Sequence, residues 1–168
     1  MFGPAIIIFR ETLEAALVIG IIAAATRGVP RRAFWLALGV IAGIIGSGVI
    51  AALTETIADM ADGSGQELFN AAVLGIAVLM LAWHHIWMSS HGAELARDAR
   101  QLGTAVKEGN RELSAIAILV TLTVLREGAE SVLFLHGMAT GGSSSITDII
   151  AGGALGLAGG AALGTIMY

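Results

Sequence analysis

Two short charge motifs lie deep inside apolar sequence. Arg10, Glu11 and Glu14 make one, and Arg126, Glu127 and Glu130 make the other, each an Arg-Glu-x-x-Glu pattern. At 100° per helical residue, arginine, second glutamate and first glutamate fall at about 0°, 40° and 100°, on one arc of a helix. The arginine can pair with the glutamate four residues on, which leaves the adjacent glutamate freer to meet a cation. Four carboxylates make a hard-oxygen donor set, and the absence of cysteine removes thiolate sites for zinc, copper(I) or iron–sulfur clusters. Ferric and ferrous iron, manganese, magnesium and calcium all suit such oxygens. The alternative is structural: two intrahelical Arg–Glu pairs that lock a bundle and bind nothing.

The elements that must hold these charges are membrane helices. Of the 168 residues 56% are hydrophobic and 13% are charged, mean hydropathy is +0.83 and net charge is -4. A soluble domain needs more charge than that to cover itself, and a basic footprint for nucleic acid is absent. The apolar blocks reach the roughly 20 residues that cross a bilayer. The sequence predicts an all-α, polytopic transmembrane bundle of five spans: about 4–25, 33–53, 68–88, 113–137 and 148–167. The start lacks the charged leader of a cleavable signal peptide and reads as the first span. Arg27, Arg31 and Arg32 in the first connection, and Arg97, Arg100, Lys107 and Arg111 in the third, place those connections in the cytoplasm and the N-terminus outside. Trp83 and Trp87 then fall at an inner interfacial belt. The third connection, with its alternating signs, reads as a solvated, partly helical loop laced with ion pairs.

A charge at a bilayer centre costs roughly 2.5–3.5 kcal/mol, so three in one helix cost on the order of 8–10 kcal/mol before offsets. Helices carry such groups where they face protein or a polar cavity. At 1.5 Å per residue, Glu11 and Glu130 both lie about 11 Å from the outer ends of their spans, and Glu14 and Glu127 about 15–16 Å. The four carboxylates are therefore expected to converge at one level.

The motifs also mark an internal repeat. Arg10 to Leu17 aligns with Arg126 to Leu133 at an offset of 116 residues, and Leu38-Gly39 with Leu155-Gly156 at 117. An odd number of spans separates the copies, so the second is inverted, and inverted repeats with a midplane site are a transporter signature. The whole chain reads as one transmembrane domain: a first repeat over about 1–90, a cytoplasmic loop over about 90–112, and an incomplete second repeat over about 113–168. Gly152, Gly156, Gly160 and Gly164, like Gly39, Gly43 and Ser47, form small faces for close helix packing.

With these motifs the chain resembles the oxidase-dependent iron transporters, which comprise the fungal high-affinity iron permeases and the bacterial EfeU-type permeases. The likeness lies in Arg10-Glu11-Thr12-Leu13-Glu14-Ala15-Ala16-Leu17, in Gln66-Glu67-Leu68-Phe69, in Trp83 with Trp87-Met88, and in Arg126-Glu127-Gly128-Ala129-Glu130-Ser131-Val132. It implies an iron permease rather than an enzyme, with iron as transported substrate and no cofactor. It implies Glu11, Glu14, Glu127 and Glu130 as metal ligands, Arg10 and Arg126 in support, and an extracytoplasmic oxidase or peroxidase as partner. The family usually has seven spans and a further glutamate where Asn70 stands, so the five spans fit a shortened form, or a homo-oligomer whose copies complete one another's walls. Glu55, Asp59 and His136 are candidate entrance residues, Glu55 and Asp59 as the best pair of an acidic outer funnel. His84 and His85 read as interfacial. The competing functions are a permease for manganese or lead, and a non-transporting membrane scaffold.

Overall fold

A computed structural model describes residues 2–60, 65–142 and 145–167. Among these residues five helices follow one another: α1 (Phe2–Ala25), α2 (Arg32–Met60), α3 (Gln66–Lys107), α4 (Ser114–Thr140) and α5 (Ile146–Met167). The fold is an all-α bundle. Beside an apolar core, its interior holds groups that a water-soluble core avoids. Glu11, Glu127, Glu130 and, on α5, Gly152, Gly156, Gly160 and Gly164 are buried, whereas Ile41, Ile44, Ile45, Leu155 and Leu157 are exposed. Water would penalise both choices, and lipid favours both. Within α2 and α5, Arg32–Ala58 and Ile146–Met167 are long and apolar enough to cross a membrane. α1 and α4 have the length, with three motif charges each.

The helices pack as two tight pairs, α1 on α5 and α2 on α4, joined chiefly where α1 meets α4. Small residues set both tight contacts. A methyl on Gly156 would collide with the Ala5 carbonyl and lie 2.8 Å from the Phe9 nitrogen; one on Gly160 would lie 2.7 Å from the Phe9 carbonyl and from Thr12 Cβ. In the other pair, Gly43 faces Val124 and the Thr121 carbonyl, Ser47 faces Gly128, and Thr121 donates from Oγ1 to the Gly39 carbonyl at 3.2 Å. Numbers rise together along both pairs, so the helices of each run parallel. α1 and α4 carry the two motifs, so each motif helix packs on the helix that follows its counterpart. The register differs from the Leu-Gly alignment. Gly43 and Ser47 meet Thr121, Val124 and Gly128, the counterparts of Ala5, Ile8 and Thr12, which Gly156 and Gly160 meet. The packing correspondence thus shifts by four residues, about one helical turn, because contact depends on which small residue reaches the partner backbone and not on the neighbouring leucine.

The largest departure from the sequence reading is α3. It does not end at Met88; it continues to Lys107. The stretch read as a solvated loop carries Gly92, Leu95, Ala96, Ala99, Leu102, Gly103 and Val106 at helical spacing, the stripe of an amphipathic helix. Ala99 and Val106 join Ile22, Ile116 and Val120 in the core, and Gly103 packs on Ala25. The predicted ion-pair lacing is absent: among the described residues Glu94, Arg97, Asp98 and Arg100 form no ion pair. α2 also runs past the predicted end at Leu53, which puts Glu55 on helix rather than loop.

Gly156→Ala is expected to destabilise the bundle by about 1–3 kcal/mol, since the added methyl meets backbone that cannot step aside. Gly153→Ala, which meets open space, is expected to leave stability unchanged. Reversible unfolding in mixed micelles measures both, and equal effects would contradict the α1–α5 contact described.

Candidate metal centre

α1 and α4 bring the two motifs face to face. On α1, Arg10 Nε donates to Glu14 Oε1 at 2.9 Å, and Arg10 Nη1 lies 3.2 Å from Glu11 Oε1. On α4, Arg126 Nε donates to Glu130 Oε1 at 3.3 Å and sits 4.0 Å from Glu127 Oε1. Each arginine therefore grips the glutamate one turn on and leans toward the adjacent one, as the spacing predicts. The adjacent glutamates turn inward to each other. Glu11 is 1% exposed and Glu127 7%, and Glu11 Oε2 and Glu127 Oε2 accept no hydrogen bond from an N–H or hydroxyl.

Glu11, Glu14 and Glu127 each present an oxygen such that all three lie within 4.8 Å of one another. Buried carboxylates from two helices are thus aimed at one small volume, a donor set suited to a hard cation. Glu130, the fourth expected ligand, is buried beside this group but outside that cluster. A cavity of about 400 Å³ borders the group among α1, α2, α4 and α5, with Glu11, Thr12, Ser47, Glu127 and Ser131 in its wall. Another, of about 630 Å³, lies between α1, α3 and α4 and is bordered by Glu14, Arg126 and Glu127.

The tryptophan reading needs correction. Trp87 is not at the inner end of a span. The Arg126 guanidinium carbon stands 5.4 Å from the centre of its ring, so Trp87 lies at motif level with α3 continuing well beyond it. Its other neighbour is His91, stacked at 5.0 Å and 9°, with His91 Nδ1 3.1 Å from the Trp87 carbonyl. A ring face toward a guanidinium is a cation–π contact, and it gives the second motif a support that sequence reading missed. The signal was the unbroken small-and-apolar stripe beyond Met88, which keeps α3 helical and so carries Trp87 and His91 past Arg126.

The entrance residues fare less uniformly. Glu55 is exposed on the last turns of α2. The Asp59 side chain lies outside the described residues, as do those of His84 and His85. His136 is half-buried on α4, and its Nε2, like Asn70 Oδ1 on α3, is buried without a hydrogen-bond partner.

Comparison with known proteins gives the class: a family of iron permeases. The model of the iron permease FTR1 family matches residues 1–168, and the chain belongs to that family. It is 35% identical over 141 residues to the ferrous iron permease EfeU of Escherichia coli O6:H1, covering 80% of this chain and 50% of that one. It is 33% identical to EfeU of E. coli O157:H7, with the same coverage, and 31% identical over 140 residues to EfeU of Yersinia pestis, covering 80% of this chain and 49% of that one. The chain spans about half the length of the curated relatives it matches. No solved structure matches it.

A Trp87→Ala, Arg126→Leu double-mutant cycle on unfolding free energy is expected to return a coupling of about 0.5–2 kcal/mol. Zero coupling would mean that the indole ring does not support the second motif.

Proposed function

We propose that this chain forms the ion-conducting portion of a ferrous iron permease, and that Fe²⁺ passes between α1 and α4 on the carboxylates of Glu11, Glu14, Glu127 and Glu130. The observation that carries this reading is the cluster of Glu11, Glu14 and Glu127 oxygens, drawn from two helices into one space within 4.8 Å. Across the gap between α1 and α4 the oxygens of Glu11 and Glu127 lie within 4.8 Å of each other, acid against acid. Two carboxylates that close repel by roughly 3–4 kcal/mol at an effective dielectric of 20. Four glutamates and two arginines, all ionised, leave two negative charges, which one divalent cation would balance.

Iron as the cargo rests on the family and on relatives named as ferrous iron permeases. Several further elements belong to the proposal. They are the multi-pass arrangement in a cell membrane, the outer N-terminus, the pseudo-symmetric repeats, and an extracytoplasmic oxidase or peroxidase partner. The parallel α1–α5 and α2–α4 pairs support the repeat, since an inverted duplication yields them as equivalents. Arg10 and Arg126 hold Glu14 and Glu130 in place, and Glu55 and His136 serve the approach from outside.

Glu11→Gln and Glu127→Gln are each expected to weaken Fe²⁺ binding by at least about tenfold, because even loss of an outer-shell partner costs a metal site that much. Glu108→Gln, on the surface after α3, is expected to leave binding as it is. Anaerobic equilibrium dialysis of the purified chain in nanodiscs makes the measurement. Unaltered binding in both buried variants would sink the site.

A further inference from the structure

The cavity between α1, α3 and α4 reaches from the carboxylate cluster toward the end of the bundle that holds the basic connections. Its volume is about 630 Å³, and Glu14, Arg126 and Glu127 border it. Leu17, Val18, Ile21, Leu95, Leu102 and Leu119 supply most of the remaining wall. An apolar corridor of that kind gives a cation no ligand after it leaves the cluster. One further acidic side chain lines it: Asp98, on α3.

The depth of Asp98 follows from two contacts. Trp87 stands beside Arg126, at motif level. Gly103 packs on Ala25, the last residue of α1. At 1.5 Å per residue Asp98 lies about 16 Å beyond Trp87 and about 7 Å short of Gly103 along α3. It therefore stands in the inner half of the passage, past the middle. Asp98 forms no hydrogen bond or ion pair among the described residues. At the head of the same cavity Glu127 is more than nine-tenths buried, with Oε2 accepting no hydrogen bond from an N–H or hydroxyl. One end of the cavity thus holds a buried carboxylate oxygen with no donor, and a second uncommitted carboxylate hangs over its apolar length.

We propose that Asp98 is a relay ligand for the departing divalent cation, and that the α1–α3–α4 cavity is its inward exit. This rests on the ferrous permease reading above and deepens it by naming the step after the motif cluster. A carboxylate part-way along lowers the barrier that an apolar corridor sets against a partly dehydrated ion, and a single carboxylate binds weakly enough to let go. The amphipathic inner half of α3 gains a purpose: its apolar stripe closes the bundle, and the edge of its charged face supplies the stepping stone.

The chain contains no cysteine, so single thiols can be placed without background. Leu102→Cys puts a thiol one helical turn from Asp98 in the cavity wall. In sealed vesicles of known orientation, a membrane-impermeant methanethiosulfonate is expected to label it from the side of the basic connections only. Fe²⁺ under anaerobic conditions is expected to slow that labelling by about tenfold, the lower end of what one supporting carboxylate contributes to metal affinity. Asp98→Asn is expected to abolish the protection and Asp98→Glu to restore it, while Fe²⁺ binding at the cluster, read by dialysis, stays intact. Protection that survives Asp98→Asn, labelling from the opposite side, or no protection despite intact Fe²⁺ binding would each overturn the relay. Loss of Fe²⁺ binding in the parent chain instead overturns the permease reading on which it stands. Asp98 is exposed, so its variants are expected to fold, and a matched unfolding curve checks this.

Discussion

Carboxylate set against carboxylate across α1 and α4, away from solvent, is the unfavourable arrangement around which the bundle is organised. Left alone it would drive the two helices apart. The arginines offset part of the repulsion, each gripping the glutamate one turn along its own helix. The rest of the holding force comes from elsewhere. α5 and α2 clamp α1 and α4 from behind through contacts where glycine lets backbone approach backbone. In lipid, where burying an isoleucine gains nothing over leaving it outside, such contacts are the available adhesive. The glycine stripes and the glutamate cluster are thus two parts of one arrangement.

The two motifs are alike in sequence and different in support. Arg10 approaches both of its glutamates closely. Arg126 stands farther from its pair and shares its charge with the face of Trp87. A softer hold on the second motif leaves Glu127, which borders both cavities, with more freedom to change partners. In the ion path proposed above such a difference has a use, since identical grips on both sides would favour retention over passage.

Much of this was legible in the residues. The motifs, their shared arc, their matched depth and the five helices follow from spacing, length and the cost of charge in lipid. Charge alternation hid the rest. Between Glu94 and Lys107 the alternating signs resemble a solvated loop, yet Ala99, Gly103 and Val106 trace a helical stripe among them, and in the fold that periodicity prevails over polarity. Trp87 was misplaced for the same reason, since a span ended too early turns a mid-depth indole into a belt residue. The helix register slipped by a turn because the alignment weighed Leu38 and Leu155, which point outward, equally with the glycines that make contact. The grip of each arginine on the glutamate one turn on follows from i, i+4 geometry, whereas the position of Glu130 outside the tightest group depends on how α4 sits against α1, which no local pattern encodes.

At equivalent points of the two tight pairs, Thr12 meets Gly160 and Gly128 meets Ser47. The hydroxyl residue stands on the motif helix in one pair and on its clamp in the other. What each crossing fixes is therefore a combined volume, not a residue at a position. If the halves descend from one ancestral segment, this spot has been free to drift by reciprocal exchange. Copying either half onto the other would leave two hydroxyl residues at one crossing, or two glycines and a gap. The two halves have become complements of each other at this point, and no longer interchangeable copies.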